Sequence, residues 1–292
     1  MFDLQGHRGA RGLFPENTLE GFVAAMAIGV DSFEIDIAVT RDGVPVLNHD
    51  PALNPAIVRQ RDGAWLAERG PLIRSLTLAE LEVFDVGRLQ PGTSYARTYA
   101  SQVPHDGARI PTLAAVLALP ARFNIELKLL PDHPEWTIAA EEMVERVLAV
   151  VDRAEAVGRV TIQSFDWRAP RHVRRIRPDV RRGWLTEAKT VAAAALWRGD
   201  PGASPEMAAV PAAIEAEGGG TWTPYYSDLT PALLAEARRL GLLVIPWTVN
   251  ETADMQRLID WGVDGLISDW PDRALALVGR RMAATPPGGA GG

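Results

Sequence analysis

The chain contains no cysteine, which excludes disulfides and thiolate metal sites. The compartment stays open on that ground, because cysteine-free proteins occur in both reducing and oxidising environments. No apolar run is long enough to cross a membrane. Met1 is not followed by a basic stretch leading an apolar one, so no signal peptide and no stable membrane insertion are expected, and the location is expected to be cytoplasmic. Positive charge is in deficit: 30 Lys and Arg face 37 Asp and Glu, and the net charge of -7 argues against general nucleic-acid binding. What the chain does have is a 47% hydrophobic share over 292 residues, enough for one large domain or two small ones with a full core. Its last stretch, AATPPGGAGG, has nothing to bury and predicts a disordered tail over about residues 283–292.

Short apolar runs alternate with helical patterns through residues 1–282, which predicts a single domain. A strand is expected around Leu4–Arg8, followed by a helix with Leu19, Phe22, Val23 and Met26 on its apolar stripe. Asn17 is placed to cap that helix, Glu20 falls where a capping box wants it, and Gly29 ends it. Further strands are expected at SFEIDIAV, RFNIELKL, RVTIQSF, VRRGWLT, GTWTPY, LLVIPWTV and DGLISD. Eight strands alternating with helices predict an α/β fold, a (β/α)8 TIM barrel. A doubly wound open sheet is the alternative, but HRGARG lacks the helix start that a dinucleotide loop needs. From about Pro51 to Arg109 the sequence is rich in Pro, Gly and Arg, with one short helical piece, LTLAELEVF. That is too long for an ordinary loop and predicts a small inserted subdomain or lid after strand 2.

Glu34 and Asp36 lie two apart in a strand, so both side chains emerge on one face, and Glu126 with Lys128 repeats the arrangement on the next barrel strand. Acids on apolar parallel strands are costly unless paired or metal-bound. Three converging carboxylates, Glu34, Asp36 and Glu126, offer hard oxygen ligands suited to one Mg2+ or Ca2+. The plainer alternative is that Lys128 pairs with Glu126 or Asp36 as a buried ion pair. His7 and His49 fall in short loops at strand ends and are candidates for proton transfer, since an ordinary imidazole titrates near ~6.5. His105, His133 and His172 sit in polar or helical contexts and are expected at the surface. Arg8 suits the paired oxygens of a phosphate, with a salt bridge to Glu16 as its structural alternative. Trp247 is a candidate for the pocket wall as much as for the core, and Gln163 and Asp269 are weaker candidates. Together these groups suit metal-assisted cleavage of a phosphodiester.

At these residues the chain resembles the glycerophosphodiester phosphodiesterases. The likeness rests on GHRG with PENT, EIDIAVTRDGVPVLNHD, IPTL, NIELK, WTVN and DGLISDWP, spread over almost the whole length in the family's order. The resemblance implies a barrel whose insert follows the second strand. It also implies a divalent-metal hydrolase that takes a small glycerophosphodiester and releases an alcohol and sn-glycerol 3-phosphate. By the same likeness His7 and His49 would be the acid/base pair, Glu34, Asp36 and Glu126 the metal ligands, Arg8 and Lys128 the phosphate-binding cations, and Trp247 a residue near substrate. The stretches 51–109 and 190–219 match nothing in the family pattern and leave head-group preference open. Three rivals stand beside this reading: a phospholipase D-type enzyme acting on lysophospholipids, a metal- and lysine-dependent carbonyl lyase or isomerase, and a binding protein without catalysis. The first would need an apolar groove, for which the segment 51–109 offers Trp65, Leu66, Leu72 and Ile73.

Overall fold

Strand β2, Ser32–Val39, shows how the molecule is built, for it is buried along its whole length yet alternates apolar and acidic residues. Phe33, Ile35 and Ile37 face outward into an apolar cluster with Phe22, Val116, Val144 and Val147 from the surrounding helices. Glu34 and Asp36 therefore point inward. The computed structural model describes residues 2–30 and 32–284, with side chains to residue 279.

The other strands are β1 (Asp3–His7), β3 (Pro45–Leu47), β4 (Arg122–Leu127), β5 (Val160–Ser164), β6 (Arg181–Thr186), β7 (Thr221–Pro224), β8 (Leu243–Val244) and β9 (Gly265–Ser268). Parallel pairing runs in the order β8-β7-β6-β5-β4-β2-β1-β9, which leaves one seam, between β8 and β9. Pro246 has no N–H to give, which cuts the ladder short at that seam. Single backbone bonds bridge it instead: Asp264 N–H donates to the Val244 carbonyl at 2.9 Å, Ile267 to Pro246 at 3.0 Å and Val249 to Ile267 at 2.9 Å. The result is a nearly closed, eight-strand parallel barrel of TIM-barrel type, as the alternation predicts. Inside it, below the acids, runs a row of amides in which Asn124 donates to Gln5 at 3.0 Å and to Gln163 at 2.9 Å.

Several local expectations need correction. The first helix, Leu19–Ala27, is capped by Thr18, whose hydroxyl accepts from Gly21 N–H, and Asn17 is drawn away to Asp36 at 3.0 Å. Gly29 does end that helix, at φ +97°. Strand β3, which the strand reading omits, pairs antiparallel with β2 across the turn TRDG. His172 is not a surface group: it is 6% exposed and lies 2.7 Å from Arg175. His133 is on the surface, stacked on Trp136 with centroids 4.0 Å apart.

Residues 51–109 run between β3 and the helix Leu113–Leu117. The helical piece read from the sequence is a single turn, Leu78–Leu81, capped by Thr77 and Glu80, and a second short helix, Ser94–Thr98, follows. Leu53, Val58, Ile73 and Leu81 bury themselves in a cluster with Ala38 and Val46 of β2 and β3. The expected disordered tail lies outside the described residues from 285 onward; Ala283 and Ala284 belong to the last helix, Pro271–Ala284.

Candidate active site

The site begins where β1 ends. Its turn needs glycine, because a Cβ on Gly6 would lie 1.9 Å from the Gly9 carbonyl oxygen. Arg8 then takes a left-handed backbone, φ +53°, uncommon for a residue with a side chain. That conformation is held by Arg8 N–H on the Glu34 carbonyl at 2.8 Å and by the Asn17 N–H on its own carbonyl at 2.9 Å. The guanidinium goes inward, 2.9 Å from Glu16 and 3.2 Å from Asp36, so the salt bridge to Glu16 is present, and Arg8 lines the cavity as well. His7 is fixed through Nδ1, 2.6 Å from an oxygen of Asp269, which leaves Nε2 facing Glu34 at 3.6 Å. Burial, with Arg11 behind it, lowers the His7 pKa to about 4 against the pull of Asp269. Burial thus favours the neutral imidazole there.

Parallel register brings the acids together, since Asp36 stands beside Glu126 and Glu34 beside His7. Glu34, Asp36 and Glu126 offer oxygens within 4.8 Å of one another, all three residues buried. Lys128 Nζ lies 2.7 Å from Glu126 and 3.6 Å from Asp36, so both pairings considered for it are made. Burial opposes ionisation of Asp36, yet Arg8, His49 and Lys128 hold its carboxyl well below the usual carboxylate range. Glu34 goes the other way: burial, then the charges of Asp36 and Glu126, push it well above that range. Glu34 Oε2 and Asp36 Oδ1 are buried without a hydrogen-bond partner. With all four ionised, Glu16, Glu34, Asp36 and Glu126 would outnumber the cations Arg8 and Lys128 by two charges. Orphaned oxygens, an acid excess of two and a carboxylate that resists ionising are what a divalent cation would relieve, so the residues fit the group.

These residues face a cavity of about 420 Å³. His49 lines it as His7 does, its Nδ1 2.8 Å from Asp50, and burial with the charges of Arg8 and Lys128 holds its pKa well below that of a free imidazole. Its ring is a third exposed, which softens that effect without reversing it. Glu34, Glu126, Lys128 and Trp247 also line the cavity, whereas Asp36, at 0% exposure, sits just behind the wall. Trp247 is anchored by its indole N–H on the Thr223 carbonyl at 3.0 Å. Gln163, a weaker candidate from sequence, lines the cavity too, whereas sequence reasoning missed Phe165 and Trp197, the latter from the unassigned stretch 190–219. It underrated Asp269 and passed over Arg11, whose Nε lies 2.6 Å from Asp269. The only signal for Asp269 was its place after β9, and for Arg11 its spacing from His7. Trp65, Leu66, Leu72 and Ile73 of segment 51–109 are not among the residues that line this cavity: Leu66 and Ile73 pack in the cluster shared with β2 and β3, and Trp65 lies against Arg59.

Comparison with known proteins agrees with this geometry. Residues 7–273 match the glycerophosphoryl diester phosphodiesterase family. A glycerophosphodiester phosphodiesterase of Bacillus subtilis is 30% identical over 278 residues, covering 91% of this chain and 83% of the relative. One of Caldanaerobacter subterraneus subsp. tengcongensis is 29% identical over 276 residues, covering 93% and 96%. Among solved structures, a Silicibacter pomeroyi protein named for the same family is 37% identical with a TM-score of 0.86, covering 97% of this chain and 94% of that one. An Oleispira antarctica phosphodiesterase, solved with sn-glycerol-3-phosphate, shares the fold at a TM-score of 0.71 and 22% identity, covering 95% and 96%. With the family matched across almost its full length, this chain is a phosphoric diester hydrolase belonging to the glycerophosphoryl diester phosphodiesterase family.

Proposed function

We propose that the protein hydrolyses glycerophosphodiesters to an alcohol and sn-glycerol 3-phosphate, with His7 and His49 as the acid/base pair. The observation that carries the proposal is the convergence of both histidines, Arg8, Lys128 and the acidic cluster on one cavity. The product bound by the Oleispira antarctica relative supports the product class. Glu34, Asp36 and Glu126 would hold one Mg2+ or Ca2+, which would supply Lewis-acid polarisation of the phosphate oxygens.

A phosphodiester anion repels nucleophiles, so its charge must be met before attack. Arg8 and Lys128 do this from fixed positions, an electrostatic effect that needs no reorganisation during reaction. The hydroxyl of the glycerol moiety next to the ester attacks phosphorus, the bond to the alcohol breaks, and a cyclic phosphate forms. One histidine takes the hydroxyl proton while the other, protonated when the anionic diester sits beside it, gives its proton to the leaving alcohol, and they exchange roles as water opens the ring. Attack from within the substrate avoids recruiting a second reactant. Each histidine contributes ~10² to 10⁴ in rate. Residues 51–109 are read as an inserted subdomain, supported by the apolar cluster that Leu53, Val58, Ile73 and Leu81 build against β2 and β3.

Release of glycerol 3-phosphate from water-soluble glycerophosphodiesters tests the reaction. His7→Ala and His49→Ala should each lose turnover while keeping the fold; near-normal rates in either remove its assignment. A diester without the neighbouring hydroxyl should react far more slowly, and equal rates rule out the cyclic route. A second reading, cleavage of lysophospholipids in the manner of a phospholipase D, is favoured by the apolar wall of Leu130, Phe165, Leu185, Trp197 and Trp247. Comparing lyso-lipids with deacylated diesters separates the two.

A further inference from the structure

Of residues 51–109, Pro51 alone among the described residues lines the cavity, so the segment is not placed as a cover over substrate. It reaches the site from behind. The helix Ser94–Thr98 and the turn after it lie against the loops that follow β1 and β9: Gln102 donates to the Arg11 carbonyl at 2.8 Å, and Ser101 to that of Gly12 at 2.8 Å. Two tyrosines of this stretch enter the buried polar network. The Tyr99 hydroxyl donates to Asp269 Oδ2 at 3.2 Å, on the carboxylate whose other oxygen holds His7. The Tyr95 hydroxyl donates to Glu16, which holds Arg8. Arg11 joins the two halves, with Nε on Asp269 at 2.6 Å and NH1 on the Tyr95 hydroxyl at 3.2 Å.

Asp269 has no freedom left in this arrangement. It is 0% exposed and also accepts from Asn250 Nδ2 at 2.8 Å. A carboxylate locked in this way selects the His7 tautomer that carries its proton on Nδ1 and so keeps Nε2 toward the cavity. We infer that Tyr99, acting through Asp269 on His7, and Tyr95, acting through Glu16 on Arg8, are positioning residues for the reaction. The segment 51–109 thus serves catalysis as a brace rather than a lid. The inference deepens the acid/base role proposed for His7 and rests on it for its kinetic consequence.

The test reads the His7 ring directly by nitrogen-edited NMR of the full chain, with the His7→Gln variant identifying its signal. The wild type should show an Nδ1-protonated His7 with a proton shifted far downfield by its 2.6 Å bond. Tyr99→Phe keeps the ring and removes the hydroxyl. It should move that signal and lower kcat about tenfold with little change in KM. Tyr95→Phe should leave the His7 signal in place and raise KM, through Arg8. An Nε2-protonated or freely exchanging His7 in the wild type overturns the inference whether or not the variants fold. An unmoved signal with unchanged kcat in Tyr99→Phe overturns it too, as does loss of folding in that variant, which would make Tyr99 a packing residue. A signal that moves as expected in a protein without diester hydrolysis would sustain the brace and refute the proposed reaction instead.

Discussion

Glu34 and Asp36 share a strand face and a burial, yet their partners make them opposite in behaviour. Asp36 is met by Arg8 at 3.2 Å, Asn17 at 3.0 Å and Lys128 at 3.6 Å, while the nearest donor to Glu34 is Gln163 at 3.5 Å. Removing the charge of Asp36 leaves Arg8 with Glu16 alone and Lys128 with Glu126 alone, and taking a partner from buried cations is destabilising. Removing the charge of Glu34 relieves repulsion from Asp36 and Glu126. Thermal melts of the metal-free protein should therefore show Asp36→Asn well below the wild type and Glu34→Gln at or above it, although both weaken cation binding. Equal destabilisation by the two would mean that Glu34 is held by something other than its acidic neighbours. Trp247 and Trp197 make a second contrast, both being half-buried on the cavity wall. Trp247 belongs to a motif and could be placed from sequence; Trp197 lies in a stretch without one and could not.

At the level of elements, the strands that carry chemistry were the most legible. SFEIDIAV was read with its observed limits, because its acids interrupt an otherwise apolar run with a period of two. Its turn at the end of β1 was legible only as a motif: the glycines of GHRG mark a tight path, but not that Gly6 and Gly9 touch. Gly6→Ala should cost at least about 3 kcal/mol, since the clash is with backbone that has nowhere to go. Urea unfolding measures this, and a loss below half that figure would show the turn to be more pliant. Asn17 shows why capping was misread. Local pattern offers both Asn17 and Thr18 to the helix, and the choice is made by Asp36, nineteen residues away, which claims the Asn17 amide. The bracing contacts of segment 51–109 were not legible, because Tyr95 and Tyr99 meet Glu16 and Asp269 across separations of 79 and 170 residues. No local rule carries such pairings.

At the scale of the whole molecule, part of the chain's excess of acid is buried at one place. Chain ends of the parallel strands gather four carboxylates and two cations in a region shielded from water, and the excess of acid there opposes folding in the absence of a cation. A divalent ion that binds the folded chain and not the unfolded one stabilises it by mass action, about 2.7 kcal/mol at a hundred times its dissociation constant. For a chain of 292 residues that raises Tm by roughly 4 °C. The rise should follow the logarithm of Mg2+ or Ca2+ concentration and vanish in Glu126→Gln. It should be smaller at low pH, because Glu34, raised by burial and by Asp36 and Glu126, takes up a proton that the ion must displace. Chelation should remove activity and the added stability together, and both should return with the ion. A Tm indifferent to either cation and to the chelator would show that Lys128 and Arg8 already satisfy the acids, and that the cluster is an ion-pair network rather than a metal site.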